Sequence, residues 1–442
     1  MNFTKNQLII AGVTGFFVIL AGLVLAGVIP GLQTSEPEAI AAQLTIWNVG
    51  DRKEAFDPAF AEFNAKYKNV AFAYRSFPNE AAYEAALLDG LAAGTGPDIF
   101  ALKSDKLLRH LNKLTSAPAA LIALSELRAR FPQVVEKDFY GASGVAALPL
   151  SIDTLALFYN RDLLDSAGIA NVPATWDEIQ VLAPTLTKKN PGGAITQAGI
   201  ALGGTAGEIE SGVDTLYLLM LQTGTKMTDN EFTRATFDSS EGLNALRFYL
   251  QFGNPSSPSY AWGPLRQSAD GGGEGSARNR FADGKLAMLV DYASAIPLLA
   301  GRNTFLNYGV APIPQPKDAT VSLTYPSYYG FTVSRRSRFP ALAWEFVKTM
   351  TTSESSAKAF VNVTGKPPAL RALIATYESD PVRRVFARQI LTARSWPQVD
   401  PDAIRASFVK LIASALADPL RASNALRAAG EEVTTLMERR GF

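Results

Sequence analysis

The chain has no cysteine and only one histidine in 442 residues. The first absence removes disulfides, thiolate metal sites, cysteine nucleophiles and lipid attachment through a cysteine sulfur. The second leaves little for imidazole chemistry. His110 stands in Leu107-Leu108-Arg109-His110-Leu111, which reads as a surface position on an amphipathic helix, and neither G-x-S-x-G nor H-E-x-x-H accompanies it. An excess of charge of one sign is also missing, since 42 basic residues meet 41 acidic ones. Such a balance offers no field for nucleic acid or anionic lipid, so a neutral partner is expected. The glycine run at residues 270–275 lacks the Lys-Ser/Thr of a phosphate-binding loop and the strand context of a dinucleotide-binding turn. No ATP site or cofactor motif is visible, and no repeat of fixed period. A hydrolytic carboxylate pair stays open, because its members need only approach within about 5–10 Å in the fold.

One stretch is strongly apolar. Residues 8–29 carry no charge and, at about 1.5 Å per residue, reach about 33 Å as a helix, enough for a hydrocarbon core of about 30 Å. Lys5 before it and Glu36 and Glu38 after it orient the bulk of the chain outside the cell. The expectation is a retained single-pass anchor, with a cleaved signal peptide as the alternative. The segment Leu25-Ala26-Gly27-Val28 is similar to a lipoprotein signal with Val in place of the lipidated cysteine.

Beyond a polar linker at residues 33–42, the pattern is a series of βα units, hence an α/β fold. Strands are expected at residues 44–48, 70–74 and 98–102. Between them, Asp57-Pro58 reads as an N-cap with Pro at N1, and Tyr83, Leu87 and Leu91 form a helical stripe broken by Gly94. Residues 154–158 alternate as a strand, Asn160 caps the following helix, and Thr175-Trp176-Asp177-Glu178 is a capping box. Trp176 and Trp344 fall inside helices and read as core.

Residues 147–186 combine Leu148-Pro149, that strand, Tyr159-Asn160, Asp162-Leu163-Leu164 and Thr175-Trp176. In this order they resemble the extracellular solute-binding proteins of family 1, the sugar-binding subunits of ABC importers such as the maltose-binding type. Further fragments follow in register: Thr45-Ile46-Trp47, Gly96-Pro97-Asp98-Ile99, Phe281-Ala282-Asp283-Gly284-Lys285, Tyr308-Gly309-Val310, Ala343-Trp344-Glu345 and Gly365-Lys366-Pro367. The resemblance implies a type II periplasmic-binding-protein fold of two α/β lobes, a hinge and an interlobe cleft, following one N-terminal transmembrane helix. The expected division is residues 1–34 as anchor and linker, 42–151 plus 326–368 as one lobe, and 152–325 plus 369–442 as the other. Crossings are expected near Ser151, Tyr325 and Ala369.

The same resemblance implies no cofactor and no enzymatic step. It implies a monomer that binds a small-molecule ligand, a neutral mono- or oligosaccharide, with an ABC permease and its ATPase as partners. Sugar recognition calls for aromatic faces against C–H surfaces and for oriented polar groups against hydroxyls. Trp47, Asp51 and Arg52 follow the first strand at the family's sugar-binding positions. Asp105 and Lys106 follow the third, and Asp153 lies beside the first crossing. Asp291 and Tyr292 end a later strand, where Ser294 replaces the family's usual tryptophan. Tyr328 and Tyr329 stand where many members have Gly-Gly, and Trp262 and Trp396 are candidate rim aromatics. Two rival functions remain at this stage, an extracytoplasmic carbohydrate hydrolase using paired carboxylates and a sensor or adhesion module with degenerate ligand binding.

Overall fold

A computed structural model describes Thr14, Phe16 and residues 40–263 and 275–439. The apolar segment 8–29 thus lies outside the described residues except for Thr14 and Phe16, as does the glycine run except for Gly275. Among the described residues no helix is long and apolar enough to cross a membrane.

The chain builds two α/β bodies, each around its own sheet. In the first, Val70–Phe77, Ala42–Val49 and Ile99–Lys103 lie parallel, followed by antiparallel Tyr329–Ser334 and then Leu114–Thr115, with Leu148–Pro149 also pairing to Tyr329–Ser334. In the second the order is Lys188–Lys189, Ile195–Ile200, Leu286–Asp291, Ala156–Asn160 and Tyr308–Ala311. Phenylalanines dominate the first core. Phe60 stacks on Phe72 at 4.4 Å, Phe63 meets Phe346 edge-on at 5.3 Å, and Phe56 meets Phe360 at 5.3 Å. These are the offset and edge geometries that aromatic quadrupoles favour. The second core gathers Trp176, Leu216, Tyr249, Met288 and Phe408.

Local chemistry explains most element boundaries. Asn79 accepts from the Ala82 N–H at the start of Glu80–Ala93, and Gly94 ends that helix at φ +77°, a conformation that favours glycine. Asn160 caps Arg161–Ser166, and the Thr175/Glu178 capping box is complete on both sides. Asp57 is shifted by one position from its expected place. It is the first helical residue of Asp57–Lys66, the cap is Phe56, and the carboxylate is paired with Lys53. Trp176 and Trp344 are core residues whose indole N–H groups donate to Gln222 and to the Thr115 carbonyl. His110 departs from the surface position expected of it, being fully buried with Nε2 3.4 Å from Glu84.

Three segments pass side by side between the bodies. Ser151 bridges Pro368, and the Ala369 N–H donates to the Leu150 carbonyl. Pro326–Ser327 pairs with Asp153–Thr154, and the Leu155 N–H donates to the Tyr325 carbonyl. The chain after Ala369 is shared: Leu370, Leu373 and Ile390 pack in the first core, whereas Trp396, Ile404 and Phe408 pack in the second.

Candidate functional site between the two bodies

The carboxyl ends of parallel strands are where α/β clefts open, and the turns after Ala42–Val49 and Ile99–Lys103 face the second body. The seam there contains a main chamber of about 990 Å³, a pinch of about 50 Å³ and a far chamber of about 810 Å³.

Four tyrosines, Tyr292, Tyr308, Tyr328 and Tyr329, line the main chamber together with Phe331 and Phe360. Its polar groups are largely engaged. Asp51 forms an ion pair with Lys366 at 2.7 Å and also accepts from Asn48 at 3.2 Å. Asp153 accepts the backbone N–H groups of Thr154, Ala293 and Ser294 at 2.9, 2.8 and 2.9 Å. Burial pushes its carboxyl up to about 6, against the lowering effect of those N–H groups. The Asp153 carboxylate therefore ties the crossing strand to the turn Ala293–Ala295 that starts one chamber wall.

At the pinch the Tyr292 hydroxyl donates to Asp214 at 3.0 Å, and Arg405 pairs with the same carboxylate at 2.6 Å. Asp105 lines both the pinch and the far chamber. Burial raises its pKa, and among the described residues its Oδ1 has no hydrogen-bond partner. Beside it, burial alone would raise the Glu80 carboxyl, but Lys103 and Lys106 hold it down at about 2. Two ion pairs cross the seam here: Asp402, on Pro401–Ala417 of the second body, reaches Lys106 at 3.4 Å and Arg109 at 2.5 Å. In the far chamber Asp138 accepts from the Tyr328 hydroxyl at 2.7 Å and from Ser395. Burial pushes this carboxyl up to about 7.

The structure thus brings Asp51, Asp153, Tyr292, Tyr328 and Tyr329 together around the main chamber, and Asp105 and Trp396 around the far one. Other candidates stand elsewhere. Trp47 is 8 % exposed and packs on Phe77 at 5.3 Å, with the Arg75 guanidinium 5.1 Å from its ring. A Cβ at Gly90 would come within 2.9 Å of that indole, so Trp47 is a core aromatic held by a close helix approach. Arg52 is exposed and outside the lining of all three spaces. Lys106 is buried against Glu80 at 2.8 Å and acts across the seam, away from the chambers. Asp291 is buried under a two-pronged bond from Arg278 at 2.6 and 2.9 Å. Trp262 is 1 % exposed, with the Arg280 guanidinium 4.2 Å from its ring, so it belongs to the interior and not to a rim. Sequence reasoning missed Lys366, Asp402 and Arg405. Lys366 sat inside the quoted Gly365-Lys366-Pro367 fragment, whereas nothing local marks the other two.

Residues 48–357 match the family described as bacterial extracellular solute-binding protein. A curated binding protein of Brucella abortus is 26 % identical over 308 residues, 65 % of this chain and 68 % of that protein. Among solved structures, the sugar-binding protein of Xanthomonas citri superposes with TM-score 0.73 at 18 % identity, over 90 % of this chain and 98 % of that one. The cyclic α-maltosyl-1,6-maltose binding protein of Arthrobacter globiformis gives 0.71 at 20 % identity, over 90 % and 100 %. An ABC transporter solute-binding protein of Thermotoga lettingae, bound with α-D-tagatose, gives 0.68 at 21 %, over 90 % and 100 %. Two α/β bodies joined by three adjacent segments, a chambered seam and a match over residues 48–357 lead to one conclusion: this chain belongs to the bacterial extracellular solute-binding protein family.

Proposed function

We propose that the protein captures a carbohydrate between its two bodies and delivers it to an ABC permease, with residues 8–29 holding it to the outer face of the membrane. The observation that carries this reading is the main chamber, which tyrosines line and in which Asp51 is paired with Lys366 and Asp380 with Arg383. A hydroxyl-rich ligand suits such a lining, because hydroxyls can pair with its polar groups while C–H surfaces meet its rings. The lobes are assigned as 42–151 plus 326–368 and 152–325 plus 369–442, with Leu370, Leu373 and Tyr377 resting on the first and Val385 and Phe386 on the second. Asp51, Tyr292, Tyr308 and Tyr329 are assigned to ligand contact. Asp153 is assigned to positioning, since its oxygens already serve three backbone N–H groups.

A ligand touching both bodies favours closure by its differential affinity, while the three crossing segments absorb the backbone change. Hydrolysis needs a free acid beside a free carboxylate. In the main chamber Asp51 is neutralised by Lys366 and Asp153 is saturated, which supports binding without bond cleavage. Equilibrium dialysis against mono- and oligosaccharides, with recovery of the sugar, tests this reading. Retention of unchanged sugar supports it, whereas release of shorter products would replace it with the hydrolase. No retention of any sugar would favour a sensor or adhesion module.

A further inference from the structure

The far chamber differs in kind from the main one. Its walls come from the first body, within residues 104–116 and 133–146 and at Arg335, and from the segment 393–398 that leads into the second body. None of the residues assigned to saccharide contact borders it. At about 810 Å³ it lies in the range of complete small-molecule sites, about 300–1,000 Å³. The carbohydrate reading gives it no occupant.

Its charge is also different. Lys137, Arg335 and Arg394 line it and are exposed. Among the described residues, none of these three side chains forms an ion pair. Glu136, next to Lys137 in sequence, is already held on two prongs by Arg128 at 2.8 and 2.7 Å. The same lining includes Trp396, which is only 5 % exposed and whose indole N–H has no partner among the described residues. Ammonium, guanidinium and indole groups are donors without acceptors. Together they call for oxygen acceptors that carry negative charge.

The lining limits how much charge. Asp105 and Asp138 also border the chamber, so three cations face two carboxylates, and one negative charge balances the set. Asp138 is already engaged by the Tyr328 and Ser395 hydroxyls. Leu107, Leu108, Leu111 and Leu114 add an apolar surface, which an inorganic anion would leave unused.

We infer that the far chamber is a second binding site, separate from the saccharide chamber, for a small monocarboxylate with an apolar body. The carboxylate takes the Arg335, Arg394 and Trp396 donors, and the body lies on the leucines. This inference stands apart from the carbohydrate reading, since the two chambers use different residues for contact.

Titration calorimetry on the full chain tests it with benzoate and octanoate against their neutral counterparts, benzamide and octanamide. At least one carboxylate binds, and its amide binds at least tenfold more weakly, a difference of about 1.4 kcal/mol. Arg335→Gln and Arg394→Gln, both at exposed positions, each weaken the carboxylate about fivefold to tenfold with an unchanged melting temperature. The double variant loses binding. Leu111→Ser, also exposed, weakens octanoate through its apolar end. The site is overturned if neither carboxylate binds, if acid and amide bind alike, or if the double variant binds as wild type does. A saccharide retained by the wild type should bind the double variant with equal affinity. Its loss there would make the far chamber part of the saccharide site and overturn the separate one.

Discussion

Trp262 shows how burial reassigns a residue that sequence alone places at a binding rim, and Asp153 how backbone hydrogen bonds turn a candidate contact beside a crossing into a positioning group. The Trp262 indole lies in the interior under Arg280. Trp262→Ala is expected to lower unfolding free energy by about 3–5 kcal/mol, with unchanged ligand affinity in calorimetry on the folded fraction. A rim aromatic would give the reverse pattern. Asp153→Ala leaves three backbone N–H groups without their acceptor, at about 1–3 kcal/mol per group. Denaturant titration should therefore show a clear loss of stability, and binding should weaken through displacement of the chamber wall. Asp138 governs a pH effect. Burial raises its carboxyl from an ordinary 3.8 to about 7, so between about pH 4 and 7 the folded protein keeps a proton that the unfolded chain has released. Stability from this group is fully present below that window and declines as pH rises through it. Asp138→Asn should flatten the decline in a series of melting temperatures against pH; an unchanged slope would remove Asp138 as its source.

At the scale of elements, legibility followed the range of the interaction. The helix at Trp176–Leu186 is announced by Thr175 and Glu178, whose mutual capping is complete within four residues. Asn160 and Gly94 are equally local signals. Strands expected at residues 44–48, 70–74 and 98–102 lie within a residue or a few of those positions, whereas the one expected at 154–158 as half-buried lies at Ala156–Asn160 and is almost wholly buried, because strands flank it on both sides. The site was less readable, since its pairings are remote in sequence: Lys366 meets Asp51 across 315 positions. His110 misled because an apolar helical stripe does not tell which of its faces a neighbouring helix covers, here Glu80–Ala93 with Glu84. The long helix Pro401–Ala417 presents Asp402 to Lys106 and Arg109, a contact that no local pattern could reveal. Asp402→Ala should release this latch. Small-angle scattering of the ligand-free protein is expected to show a larger radius of gyration than wild type, and saturating ligand should restore the wild-type value. Equal radii without ligand would mean that the pairs do not hold the bodies together.

At the scale of the whole molecule, two bodies, the first with one buried cluster and the second with two, meet along a seam that, among the described residues, three short segments cross. The fold was legible from family-like fragments in register. A receptor of this design gains stability from its guest in proportion to occupancy, about 2.7 kcal/mol at a ligand concentration one hundred times the dissociation constant. The most direct measurement is thermal unfolding of the full chain across a panel of mono- and oligosaccharides, with the sugar recovered and analysed afterwards. The account predicts a concentration-dependent rise in melting temperature for at least one carbohydrate, returned chemically unchanged. A melting temperature indifferent to every sugar, or a sugar returned cleaved, would contradict it.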